Sequence, residues 1–237
     1  MRHLIRILIL LILTTGTSPS QEYSVADFAE TKLPKVNSKE WFELNYSRNE
    51  FKVSADGVVI KIDKADDDKD AILEIEGGQL IGSDHGEWGG KIEFIPKGTN
   101  DRKLIKKGNV KFIFKFQNEV YFIEGLAHLS TNSGTMYRLD DNNGTLAPVK
   151  VIEFKDAPEA MSIFGDKIFV ASHEGFFVVK DLNKEVIFKD AFWTSLYPNS
   201  VAVIDNENIY IGHRGGFTKL DIIKKEIRFF RFTKKGG

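Results

Sequence analysis

The chain contains no cysteine among its 237 residues, so it has neither disulfide bonds nor a cysteine for lipid anchoring. It also lacks an excess of positive charge, because 33 basic and 34 acidic residues leave a formal net charge of −1. Binding to nucleic acid requires a basic surface, so we predict no nucleic-acid partner. No nucleophile elbow, phosphate loop, HExxH or dinucleotide fingerprint occurs, and we predict no cofactor.

The apolar run at the N-terminus is short. The run Ile7–Leu13 follows a short basic region and is followed by polar residues. Ser18 and Ser20 then supply the small residues that a signal-peptide cut before Gln21 requires, whereas a membrane span needs about 20 apolar residues. We predict a signal peptide at residues 1–20, a secreted or periplasmic location, and no stable membrane insertion after cleavage. A membrane anchor is the alternative interpretation.

Apolar residues are plentiful, at 42% of the chain with 19 phenylalanines, which suits a core of large rings and many strands. Residues 200–232 read as one complete four-stranded antiparallel sheet. Period-two alternation and turn residues predict strands at Ser200–Ile204, Asn208–Gly212, Phe217–Asp221 and Glu226–Phe232. The earlier part of the chain repeats this pattern.

The repeat is marked by the glycine that leads into the third strand of each copy. These glycines are Gly57, Gly90, Gly134, Gly175 and Gly216, which follow one another at steps of 33, 44, 41 and 41 residues. A four-stranded blade needs about 40 to 45 residues, and radial packing of such sheets buries both of their apolar faces. We therefore predict an all-β fold, a single β-propeller of about five four-stranded antiparallel blades over residues 40–237. A two-sheet sandwich is the alternative.

The first copy is less regular than the others. Strands are predicted at Trp41–Tyr46, Phe51–Ser54 and Val58–Asp63, and Lys64–Asp70 reads as an acidic, solvated loop. Residues 21–39 form a lead-in segment whose Val25–Lys32 portion suits a short helix or an extended chain.

The last copy carries a resemblance to a known repeat. Ile209-Tyr210-Ile211-Gly212, followed by Gly215-Gly216-Phe217-Thr218-Lys219-Leu220-Asp221, resembles the blade motif of bacterial propellers, notably the two-component-regulator type. The matching positions are structural glycines, apolar strand residues and a closing aspartate. The resemblance therefore implies an architecture and no activity.

Candidate binding residues concentrate in long loops that the predicted fold collects on one face. The loops are Ser83–Gly89, Gly125–Ser133 and Phe192–Asn199, and long loops on one face usually carry binding. Each of the second to fifth copies also has one histidine between its second and third strands; these are His85, His128, His173 and His213. They read either as polar turn residues or as a histidine-lined site at the mouth of a central channel.

The loop after Ser83 is the most unusual segment, since two carboxylates, an imidazole and an indole share a few glycine-punctuated positions. Asp84 and Glu87 can accept hydrogen bonds, and Trp88 can stack on a sugar or fill a gap between blades. The predicted ligand-binding residues are Asp84, His85, Glu87, Trp88, His128, His173, Trp193, Tyr197, His213 and Arg214.

These observations predict a non-catalytic binding module for a protein or glycan ligand. A metal-dependent lyase or hydrolase that uses the four histidines, with no metal ligand set assigned, is the alternative. Paired catalytic carboxylates have little support, because the predicted innermost strands offer only Glu74, Glu76 and Asp205.

Overall fold

The computed structural model describes residues 22–65 and 70–233, which form an all-β fold of five separate antiparallel sheets. The prediction of an all-β chain built from about five antiparallel sheets is confirmed, and the two-sheet sandwich is wrong. The predicted signal peptide at residues 1–20 and residues 66–69 of the predicted acidic loop lie outside the described residues.

The sheets follow one another along the chain, and most consist of consecutive strands. The first sheet contains, in spatial order, β1 (Glu22–Tyr23), β4 (Val59–Lys64) and β3 (Phe51–Asp56). The second contains β5 (Ala71–Ile75), β6 (Gly78–Asp84), β7 (Gly90–Pro96) and β8 (Lys103–Lys107). The third contains β9 (Val110–Phe116), β10 (Glu119–His128), β11 (Thr131–Asn142) and β12 (Thr145–Phe154). The fourth contains β13 (Pro158–Phe164), β14 (Lys167–Ser172), β15 (Phe176–Lys180) and β16 (Asn183–Phe188). The fifth contains β17 (Ser200–Asp205), β18 (Asn208–His213), β19 (Gly216–Asp221), β20 (Glu226–Phe232) and β2 (Phe28–Thr31).

The first strands of neighbouring sheets pack against one another on the inside of the molecule. β5 contacts β9, β13 contacts β17, and β17 contacts β3, so the last sheet adjoins the first. The middle strands are buried on both faces; every residue of β14 after Lys167 is buried. A twisted sheet with two apolar faces must be covered on both sides, and this arrangement of sheets is compatible with a propeller.

The N-terminal segment contributes one strand to each of two sheets. β1 pairs with β4 of the first sheet, whereas β2 pairs with β20 of the fifth. Phe28 of β2 packs its ring against Phe51 of the first sheet at 4.9 Å and Phe217 of the fifth at 5.1 Å. The segment therefore joins the beginning of the fold to its end.

The predicted strand Trp41–Tyr46 is wrong, because residues 41–45 belong to the helix α1 (Lys39–Asn45) and Tyr46 is its C-cap. Ser38 caps the helix by accepting a hydrogen bond from the backbone of Trp41. Trp41 and Leu44, three positions apart, share the buried face, and the Trp41 indole donates to the carbonyl of Phe192. In the described part of the chain, no helix combines the length and apolar character needed to traverse a bilayer.

Candidate functional site

A central cavity of about 540 Å³ lies where the five sheets meet. Residues at or near the beginnings of the first strands, from two loops between second and third strands, and from the connections between sheets line it. The charged and polar lining residues are Glu50, Asp70, Asp84, His85, Lys111, Glu159, Tyr197, Asn199 and Arg214. Four of these are carboxylates and two are permanent cations, so the lining is polar with an excess of negative charge.

Lys111 joins two carboxylates from different sheets across the cavity. Its ammonium lies 2.8 Å from Asp84 Oδ2 and 3.2 Å from Glu159 Oε2. Burial opposes the charged ammonium, but the two carboxylates outweigh it and raise the pKa of Lys111. Burial also raises the pKa of Glu159, against the lowering influence of Lys111. The group is thus a partly desolvated ion network with one carboxylate in excess.

Arg214 also lines the cavity, and several contacts hold its guanidinium in place. Its Nε donates to Glu50 Oε1 at 2.9 Å, and a terminal nitrogen donates to the carbonyl of Asn45 at 2.8 Å. The guanidinium also lies over the ring of Tyr197, 4.4 Å from its centroid. Tyr197 remains 47% exposed, so part of its ring is open to solvent at the rim.

The loop after β6 is pinned in place, and only part of it faces the cavity. The amide of Gly86 donates to Asp84 Oδ1 at 2.9 Å, and Asn109 donates to the carbonyl of Gly86 at 2.7 Å. Glu87 pairs with His128 at 3.0 Å, which links this loop to the hairpin of the third sheet. Trp88 is 85% exposed and lines a different hollow.

Two predicted ligand-binding residues are core residues, and the expectation that they face a ligand is wrong. The indole of Trp193 is fully buried and donates to the carbonyl of Ser172. His213 is also fully buried, with Nδ1 2.9 Å from the carbonyl of Arg214 and Nε2 2.8 Å from the hydroxyl of Thr218. The polar atoms of both side chains are hydrogen-bonded to partners inside the protein.

The four histidines do not line one site. His85 borders the cavity, His128 is exposed on its hairpin, His173 is half-buried outside the cavity lining, and His213 is in the core. Across residues 22–65 and 70–233, no three histidine, aspartate or glutamate side chains are placed to share a metal ion. Of the four histidines predicted to line one site, only His85 therefore borders the cavity.

Sequence reasoning missed Glu50, Asp70, Lys111, Glu159 and Asn199. Lys111 and Glu159 are each the second residue of a first strand, in β9 and β13. A charged residue at the start of an apolar inner strand was the available signal. By contrast, Glu74 accepts from Gln79 and does not border the cavity.

No protein-family model matches the chain, and no curated protein matches it. Two solved structures show weak likeness. The N-terminal domain of Nup159 is 8% identical over 72% of this chain and 57% of that chain, with a TM-score of 0.27. A chain in the S. cerevisiae complex of Dbp5 with Nup159, Gle1, IP6 and ADP is 8% identical over 68% of this chain and 54% of that chain, with a TM-score of 0.28. The chain spans about half the length of these structures, and we assign no function from them.

Proposed function

We propose that this protein is a non-catalytic binding module whose central cavity receives a glycan. The supporting observation is the set of fixed donors and acceptors that all five sheets direct to one cavity of about 540 Å³. Small-molecule sites are concave and contain a few precisely placed polar groups. This cavity has the required size and an unusually polar lining.

The chemistry of the lining favours a ligand rich in hydroxyl groups. Carboxylates accept hydrogen bonds from sugar hydroxyls, whereas Lys111, Arg214 and the amide of Asn199 can donate to them. The Asn199 amide nitrogen has no partner within the described protein but is buried, so it can donate to a ligand only after its side chain rotates towards the cavity. The exposed part of the Tyr197 ring offers a surface for stacking on a sugar.

The charge balance of the lining selects among glycans. Four carboxylates face two permanent cations, so an anionic sugar would meet net repulsion, whereas a neutral or amino sugar would not. Export to the periplasm or the cell exterior remains part of this proposal, as does membership of the two-component-regulator-type propeller repeats. A polar segment of a partner protein is the competing ligand.

The proposal is tested by screening the purified chain against a glycan array that includes neutral, amino and acidic oligosaccharides. We expect binding to a neutral or amino glycan, weakened about tenfold by Tyr197→Ala and by Glu159→Gln. Glu153→Gln serves as the matched control, since Glu153 is exposed on β12, away from the cavity. Thermal melting followed by circular dichroism checks that each variant retains the fold.

Two results would overturn the proposal. If folded protein binds no glycan, the ligand belongs to another class. If a glycan binds with the same affinity to the wild type and to both cavity variants, then the cavity is not its site.

A further inference from the structure

A second concave surface lies on the outer side of the loop that carries Trp88. This hollow of about 680 Å³ lies between that loop and β8. Its lining residues are Trp88, Gly89, Gly90, Lys91, Glu93, Leu104, Lys107 and Gly108, none of which borders the central cavity. The hollow is therefore distinct from the proposed glycan site and is argued independently of it.

Two accessible apolar side chains form part of the wall of the hollow. Trp88 is 85% exposed and Leu104 is 53% exposed, so two large apolar side chains face solvent at one place. The loop that presents Trp88 is held by the contact between Glu87 and His128 and by the hydrogen bond from Asn109. An exposed indole on a loop held in this way is typical of the anchor residues at protein interfaces.

The charges around the hollow are unbalanced. Glu93 is nearly buried and already accepts from Lys91 at 2.9 Å and from Arg102 at 3.1 Å. The hydrogen bond from Lys91 lowers the pKa of Glu93, so this carboxylate stays ionised and neutralises one of the cations. Lys107 adds a further positive charge, which leaves three cations for one carboxylate.

The register of β7 and β8 places two of these cations face to face. Lys91 of β7 lies directly opposite Lys107 of β8. Like charges at directly opposed positions destabilise an antiparallel pair. Glu93 already pairs with Lys91, whereas Lys107 has no ion-pair partner among the described residues, so a carboxylate of a ligand beside Lys107 would gain an unshared positive charge.

We propose that this hollow docks an acidic peptide segment of a partner protein, with one apolar side chain against Trp88 and Leu104 and flanking carboxylates at Lys91 and Lys107. Both features of the surface are then used. The apolar walls receive the side chain, and the opposed lysines receive the acidic residues.

The test uses a short synthetic peptide in which glutamates flank leucines, a counterpart with serine for leucine, and another with lysine for glutamate. Trp41 and Trp193 are buried, so a shift in the protein's tryptophan emission on titration reports on Trp88. Fluorescence polarisation of labelled peptide measures the affinity of variants that lack the indole. We expect only the leucine–glutamate peptide to bind, with affinity falling as salt rises from about 50 to 300 mM.

Two variants distinguish a binding role of these residues from a purely structural role. Lys107→Glu should weaken the peptide at least about tenfold while raising the melting temperature of the free protein, because it replaces repulsion by attraction. Trp88→Ala should weaken binding about tenfold. Lys150→Glu on the exposed part of β12 and Tyr197→Ala in the central cavity are the matched controls and should leave affinity unchanged.

Each contrary result is decisive. Equal affinity for the serine or lysine peptide, or unchanged affinity in Lys107→Glu, would overturn the proposal. A fall in melting temperature in Lys107→Glu would show that the lysine is structural. Self-association that Trp88→Ala abolishes would show that a second copy of the chain covers the surface instead.

Discussion

Acidification should destabilise the protein through one buried imidazole, that of His213. Its Nδ1 faces a carbonyl oxygen that can only accept, so Nδ1 carries the proton and Nε2 accepts from the hydroxyl of Thr218. The ring lies 5.6 Å from Phe229 and 5.9 Å from Phe192, centroid to centroid. Burial lowers the pKa of His213 from 6.5 to about 4, so the folded protein holds this side chain neutral.

The direction and size of the effect follow from proton linkage. Between the two pKa values the unfolded chain binds a proton that the folded chain does not, so the free energy of unfolding falls as pH falls from about 6.5 towards 4. From pH 7 to pH 5 the loss attributable to His213 is about 2 kcal/mol. Most of this loss in the free energy of unfolding occurs at pH values above those at which carboxylates with ordinary pKa values titrate.

The assay is urea unfolding at a series of pH values, with His213→Asn as the reference variant. Asparagine can keep a donor near the carbonyl of Arg214 but does not titrate, and loss of the ring should cost about 2 to 3 kcal/mol at pH 7. The difference in stability between the two proteins should therefore shrink by about 2 kcal/mol on going to pH 5. A difference that stays constant over this range would refute the reasoning, because carboxylate titration is common to both proteins and cancels.

Three further predictions concern packing and are read by chemical denaturation. Trp193→Ala should lower the free energy of unfolding by about 3 to 5 kcal/mol, whereas Trp88→Ala should change it by less than about 0.5 kcal/mol; similar values would place both indoles in one environment. Phe28→Ala should cost about 3 kcal/mol, because its ring joins the first sheet to the fifth, and a near-neutral change would show that β2 is dispensable. Gly212→Ala should cost about 2 to 3 kcal/mol, since its new Cβ would lie 2.3 Å from the carbonyl oxygen of Phe51, and full stability would show that the first sheet can move away.

The strand repeat was predictable because each strand has its signal within a few residues. The predicted strand Glu226–Phe232 matches β20, and Phe217–Asp221 differs from β19 only by Gly216. Period-two alternation and turn glycines are local properties, so they can be recognised without tertiary information. The segment around Trp41 failed for the opposite reason. Its aromatic composition is typical of a strand. It is helical because Ser38 caps the helix N-terminus and because Trp41 is buried against the loop that follows the fourth sheet.

The binding residues were only partly predictable. Asp84, His85 and Tyr197 come from the predicted long loops and border the cavity, and Arg214 borders it from the short turn after β18. Trp193 and His213 are buried instead, and no pattern in the sequence distinguishes an inward-facing ring from an outward-facing one. The direction is decided by which neighbouring sheet leaves space for the ring.

The sequence by itself therefore determined most of the strands and their grouping into repeated antiparallel sheets, because these depend on contacts between residues close in the chain. Only the tertiary structure decided that Lys111 stands between Asp84 and Glu159, and that Lys91 faces Lys107 beside an exposed Trp88. Charges separated by many residues interact only after sheet packing has brought them within a few ångströms and removed the water between them. Their chemistry is a property of that packing and not of the local sequence.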